Sequence, residues 1–231
     1  MRQAVPTLIF VVAAILMLPA RSAAVLAQWK EPLEQADALV KAGEYEKAEA
    51  LSRKVANEIA DTAGAGNLVA ETLGIAVTLR ALATVGVGDI EYGVWLWHTA
   101  LNINPGLLDL DLGPYKGPGA LLAKHPLFHP DLTEWDPDAR ITRPKVKKRQ
   151  NIRFPRGSSA FRNAGALVFE SFVDETGQIS LPIVDDRPPA STLIYTALEG
   201  VWRWKIEPAK ADGKPVPCYY RLTVSYKPQR R

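Results

Sequence analysis

The sequence predicts an α+β protein of two domains: helical, repeat-like hairpins first, then a small antiparallel sheet carrying one helix, in the order ββαβ. Three observations predict it. Apolar residues recur at helical spacing from Leu33 to Ile59 and again around Trp97. In the last third the period switches to two, most clearly where Cys218, Tyr220, Leu222, Val224 and Tyr226 alternate with Tyr219, Arg221, Thr223 and Ser225. Between the halves, Gly106, Gly113-Pro114, Gly117-Pro118-Gly119, Pro126, Pro130 and Pro137 punctuate the chain too often for long elements. The expected divisions are a leader over 1–27, a helical domain over 28–105, a Pro/Gly-rich and basic linker over 106–161, and a sheet domain over 162–228.

The leader comes first. Arg2 precedes an unbroken apolar run from Leu8 to Leu18, followed by small residues at signal-peptidase spacing, Val25 and Ala27 or alternatively Ser22 and Ala24. A spanning helix needs roughly 20 apolar residues, and Arg21 interrupts this run well short of that. The expectation is a cleaved signal peptide, a mature start at Gln28 and a periplasmic location in a Gram-negative envelope. The alternative is an uncleaved segment anchored in the inner membrane and facing the periplasm. The apolar fraction, 47%, is ample for a core. Cys218 is the single cysteine, so no intrachain disulfide can form, and a buried small hydrophobe is its expected role.

The helical part should run from Pro32 to about Thr62 with a break at Gly43, and a second long helix should span about Asn67 to Val85. The pattern Gly43-x-Tyr45-x-x-Ala48 recurs as Gly88-x-Ile90-x-x-Gly93, followed by Trp97, Ala100 and Pro105. Small residues at Ala48 and Gly93 permit close helix approach, with Trp97 filling the neighbouring groove. This spacing resembles the inner helices of tetratricopeptide repeats, although the two sites lie further apart than a regular array would place them. A plain four-helix bundle is the other reading. Beyond Pro105 one short helix is expected at Gly119 to Lys124, and the run Arg143-Pro144-Lys145-Val146-Lys147-Lys148-Arg149 should be an extended, self-repelling hinge. Acidic residues outnumber basic ones about two to one from Gln28 to Thr142, and the ratio reverses from Arg143 onward. If charge is what mainly holds the two halves together, their association should weaken steeply above physiological salt.

In the sheet domain, Ala166 to Val173 is apolar on both faces and should be the most buried strand. Asp174-Glu175-Thr176-Gly177 supplies a hairpin turn, with Gly177 free to take positive φ, and Ile179, Leu181 and Ile183 share one face of the second strand. Ser191 can cap a helix whose Ile194, Ala197, Leu198, Val201 and Trp204 form one stripe, ended by Pro208. Trp202 points off that stripe, either as a second core contact or as an exposed anchor.

That order of elements, with Trp204-x-Ile206-x-Pro208-Ala209 and Gly213-Lys214-Pro215-Val216, resembles the C-terminal domain of TonB-type energy transducers from about Gly165 to Tyr226. The resemblance implies a docking module that takes up a short segment of an outer-membrane receptor by adding a strand at its sheet edge. It places recognition on the last strand, from about Val216 to Tyr226, where Tyr219, Arg221, Thr223 and Ser225 would be partner-binding residues. Envelope proteins are the implied partners, and a homodimer through strand edges is also open. On the expectation of a cleaved leader, the family's spanning anchor is not retained; a helical domain stands in place of its long Pro-rich spacer, and Asp185-Asp186-Arg187-Pro188-Pro189 stands where the family often has a small Ser/Gly loop. The expected function is therefore a non-enzymatic periplasmic adaptor, with an anchored energy transducer as the alternative and an envelope hydrolase as a third reading that no constellation supports.

Other constellations point to no chemistry. His125, His129 and Asp131 have loose metal-ligand spacing, but Pro126 spoils a helical presentation. Ser158-Ser159 has no histidine in recognisable relation, and the pairs Asp185-Asp186 and Asp109-x-Asp111 read as surface or helix-entry charge. Prolines remove the amide donors that Gly113–Gly119 would need as a phosphate loop. No catalytic, metal or cofactor site is expected. Export turns the basic run away from nucleic acid and toward weak contact with an anionic surface or the chain's own acidic half.

Overall fold

The computed structural model describes residues 20–62, 67–126, 141–153, 166–185 and 190–225. Among the described residues six α-helices and eight strands form an α+β protein with most of the helices first, as expected. Helices α1 (Ala20–Ala42) and α2 (Tyr45–Thr62) form one hairpin, and α3 (Asn67–Gly86) and α4 (Ile90–Ile103) form a second. Gly43 and Gly88 turn the two hairpins at φ +81° and +99°, a region closed to most side chains. Gly93 lets α4 close on α3, since a methyl there would sit 2.4 Å from Val85 Cγ2 and 3.1 Å from the Ala81 carbonyl oxygen. Helix α1 runs through Pro32 rather than starting there. The proline removes one backbone donor, but Trp29, one turn upstream, is buried and holds the extra turns in place.

The Pro/Gly-rich stretch after Ile103 folds back onto the helices. Two 3₁₀ turns (Pro105–Asp109 and Gly113–Tyr115) lead into helix α5 (Lys116–Leu122), a few residues earlier than expected. The buried Tyr115 hydroxyl donates to Asp37 Oδ1 of α1 at 2.7 Å. Asp111 Oδ1 accepts the Gly113 amide at 2.9 Å, so that carboxylate is a turn cap. Among the described residues, α3 contains one stretch, Val69–Gly86, long and apolar enough to cross a membrane; most of it is buried, and α3 packs against α1, α2, α4 and α5.

Strands β1 (Ile141–Thr142) and β2 (Lys145–Lys148) meet at Pro144. The basic run is thus extended, but it is no hinge. Strand β2 pairs antiparallel with β5 (Lys205–Glu207), and β1 pairs with β6 (Ala209–Ala211), which turns through Asp212-Gly213 into β7 (Lys214–Val216). The main sheet has the order β4-β3-β8, from β3 (Ala166–Val173), β4 (Ile179–Val184) and β8 (Cys218–Ser225), all antiparallel. Helix α6 (Ser191–Val201) joins β4 to β5. The expected ββαβ order is therefore present, elaborated by five short strands that the period-two pattern could not resolve.

Several local expectations change. Strand β3 buries Leu167, Phe169, Ser171 and Val173 but leaves Val168, Glu170 and Phe172 half-exposed, so only one of its faces meets the core. The cap of α6 is Ala190, not Ser191, and the Leu193 and Ile194 amides donate to its carbonyl. The helix stops at Val201, well before Pro208, because Lys205–Glu207 is taken up as a strand by β2. Cys218 is half-buried rather than enclosed, and burial pushes its thiol pKa up. Tyr226, Asp186, Arg187-Pro188-Pro189, Ser158-Ser159, His129, Asp131 and the leader run Leu8–Leu18 lie outside the described residues.

Candidate docking edge and the interface behind it

Strand β8 is the last strand of the sheet, and among the described residues it pairs on one side only, with β3. Along it Leu222 and Val224 are buried, whereas Arg221, Thr223 and Ser225 are exposed. Tyr219 is half-buried because its ring meets Phe172 edge-on at 5.4 Å between centroids. Arg221 lies opposite Glu170 and donates from Nη2 to Asp185 Oδ2 at 2.9 Å, an exposed pair worth at most about 1 kcal/mol. All four residues singled out in the sequence stand on the outer face of this strand. Val216 does not belong to it, being the end of the β6-β7 hairpin.

The opposite edge of the sheet is closed by a residue that sequence reasoning missed. Strand β4 bulges at Leu181-Pro182 against Ser171, with Leu181 at φ +50°. Asn102, from α4, meets the bulged edge with both ends of its carboxamide. Its Oδ1 accepts the Val184 amide at 2.9 Å, and its Nδ2 donates to the Pro182 carbonyl at 2.7 Å. A second Nδ2 hydrogen bond goes to the His98 carbonyl at 2.8 Å. A carboxamide offers the same donor and acceptor as a peptide group, so Asn102 stands in for a neighbouring strand. No local signal marks it; only the packing of α4 on β4 does.

Helix α6 lies between the sheet and the helical hairpins, packed on α2, α3 and α4. At its centre the Arg80 guanidinium, 2% exposed, donates from Nη1 to Glu199 Oε2 at 2.7 Å and from Nη2 to Glu199 Oε1 at 3.3 Å. Arg80 Nε reaches Glu49 Oε1 at 3.1 Å, and the Tyr92 hydroxyl donates to Glu199 Oε2 at 2.7 Å. Burial pushes the Glu199 carboxyl up, but Arg80, Tyr92 and Arg203 outweigh it and hold its pKa below the usual carboxylate value. Trp202 proves to be a core contact, stacked on Tyr92 at 5.3 Å and tilted against Trp95 at 5.4 Å. Trp95 donates from Nε1 to the Leu198 carbonyl at 3.1 Å. The buried ion pair runs from the acidic half's arginine to the basic half's glutamate, the reverse of the bulk charge split, whereas the exposed pair of Arg153 with Asp61, at 2.7 Å, follows it.

His125 belongs to a structural contact: its carbonyl accepts from the buried His98 Nε2 at 3.1 Å. Burial lowers the His98 pKa to about 4. Trp95 and Trp97 of the helical part are both buried, so neither offers a docking surface.

Residues 150–228 match the family model for the Gram-negative bacterial TonB protein C-terminal, and no curated protein and no solved structure matches the chain. The match begins upstream of β3, in the stretch that packs on α6 and the turn after it. There Ile152 lies so close to Gly200 that a methyl would come within 2.6 Å, and the Gln150 carbonyl accepts from Trp204 Nε1 at 3.1 Å. Domains of this family are non-enzymatic interaction modules of Gram-negative envelope transport.

Proposed function

We propose that this chain, whose residues 150–228 form a TonB-type C-terminal domain, is a periplasmic adaptor that binds an extended segment of an envelope protein along β8. One observation carries the reading: among the described residues β8 pairs along one edge only, while Asn102 occupies the other edge of the same sheet. Backbone amides and carbonyls along Cys218–Ser225 would pair with the incoming chain, and alternate side chains would select it. Tyr219, Arg221, Thr223 and Ser225 are the selecting residues. The partner is a segment of an envelope protein, an outer-membrane receptor being the kind the family docks. The two helical hairpins act as a repeat-like scaffold whose inner surface is filled by the chain's own α6, which leaves docking to the sheet.

The test is site-specific photo-crosslinking from positions 219, 221, 223 and 225 in turn, in the intact envelope. Adducts to one partner from these positions, and none from Val87 or Ile90 at the exposed tip of the second hairpin, are the expected result. Adducts confined to Val87 and Ile90 would move docking to the helical part. Because backbone pairing supplies most of the affinity, Thr223→Ala should weaken binding by less than about threefold.

A further inference from the structure

A second surface, built by β2 and β5, has a different chemistry. In the β2-β5 pair Val146 lies opposite Ile206 and Lys148 opposite Lys205, so Lys147 is the extra residue of a bulge. A bulge sets two residues against one and re-aims side chains that would otherwise alternate between faces. Its effect here is that Lys147, Lys148 and Lys205 all line one open groove of about 450 Å³, with Thr176, Gln178 and Trp204 completing it. Arg149 stands at its side, over the Trp204 ring at 5.2 Å.

Like charges directly opposite each other across a strand pair are destabilising, and Lys148 facing Lys205 is such a case. The groove's one carboxylate, Glu207, is already shared by Lys147 at 3.2 Å and Lys210 at 2.8 Å. No ion pair of Lys148, Lys205 or Arg149 is present among the described residues. The bulge therefore gathers positive charge in a concavity whose internal counter-charge is spent.

We infer that the β2-β5 groove is an anion site for a phosphate group, held by Lys147, Lys148 and Lys205 with Arg149 at its rim. Phosphate fits better than carboxylate because it carries up to two charges on one centre and presents several acceptor oxygens to separate ammonium groups. Lysines bind it as point charges and need no planar bidentate geometry. The groove shares no lining residue with β8, so this site stands independently of the strand-addition reading.

The experiment titrates the full chain with inorganic pyrophosphate by calorimetry at constant ionic strength, beside Lys148→Gln, Lys205→Gln and a distant control, Lys124→Gln. Saturable binding with one site, weakened about fivefold to tenfold by each groove substitution and unchanged by the control, is expected. Thermal melts supply a second readout: without anion, Lys148→Gln should match or exceed the parent in Tm, and pyrophosphate should raise Tm in the parent more than in the variant. Vesicles of phosphatidylcholine with and without phosphatidic acid separate the sources. Co-sedimentation with the phosphatidic acid vesicles, lost in Lys148→Gln and competed by pyrophosphate, assigns a lipid headgroup; pyrophosphate binding without co-sedimentation assigns a soluble phosphate. Non-saturating binding, or equal losses in Lys124→Gln and Lys148→Gln, would overturn the site.

Discussion

The Arg80 guanidinium ties three other helices to α3. It is almost fully buried and holds the carboxylate of Glu199 with two hydrogen bonds. Breaking a buried pair from one side strands the other charge, so Arg80→Ala should destabilise the protein by about 3–5 kcal/mol in chemical denaturation. Arg80→Met combined with Glu199→Leu removes both charges and should recover most of that loss. If the double variant is as unstable as the single one, the packing of the arginine stem rather than stranded charge is responsible. The sequence marked Arg80 only as the one charge between Glu71 and Asp89 in an apolar helix, and its partners Glu49 and Glu199 lie too far along the chain to be read from it.

At the scale of elements, the decisive pairing is the edge of β4 with α4. Asn102→Ala leaves the Val184 amide and Pro182 carbonyl without their partners and exposes a second strand edge. The expected outcome is a loss of about 1–3 kcal/mol relative to the parent, together with concentration-dependent self-association in sedimentation beyond that of the parent. A variant that stays monomeric and loses only stability would limit Asn102 to a structural role. The β3-β4 hairpin itself was readable in advance. Asp174 Oδ1 accepts the Thr176 amide at 2.8 Å and the Gln178 amide at 2.9 Å, and Gly177 takes φ +87° with the Ile206 carbonyl oxygen where a methyl would be. Such turn chemistry is local, and so it shows in four consecutive residues. Strands β5, β6 and β7 were not readable, since three-residue strands carry no period and exist only by pairing, β5 with β2, β6 with β1 and β7 with β6.

For the whole molecule, the charge split suggested halves that salt would part, and the interface argues otherwise. Trp202 on Tyr92 and Trp95, and a buried Arg80–Glu199 pair, are contacts that salt screens little. After proteolytic nicking between Arg143 and Arg156, the fragments should stay together through gel filtration in 1 M salt, a concentration at which the Debye length is only about 3 Å. Acid should part them. The folded pKa of Glu199 is depressed, so its contribution is complete above the unfolded carboxylate value and is lost as pH falls below it. Separation by salt at neutral pH would mean that exposed pairs such as Arg153 with Asp61 hold the halves together.

Much of what depends on neighbours along the chain was legible beforehand: the helical periods, the glycine turns at Gly43 and Gly88, the Asp174 hairpin and the alternation of β8, because 3.6- and two-residue periods are backbone geometry written into the order of residues. The family resemblance rested on the same local order. The closing of β4 by Asn102, the burial of Arg80, the turn of Trp202 into the interface and the convergence of Lys147, Lys148 and Lys205 came only with folding. Each joins residues tens of positions apart, and which polar group meets which is set by how the helical hairpins and the sheet pack, a long-range arrangement that no local pattern encodes.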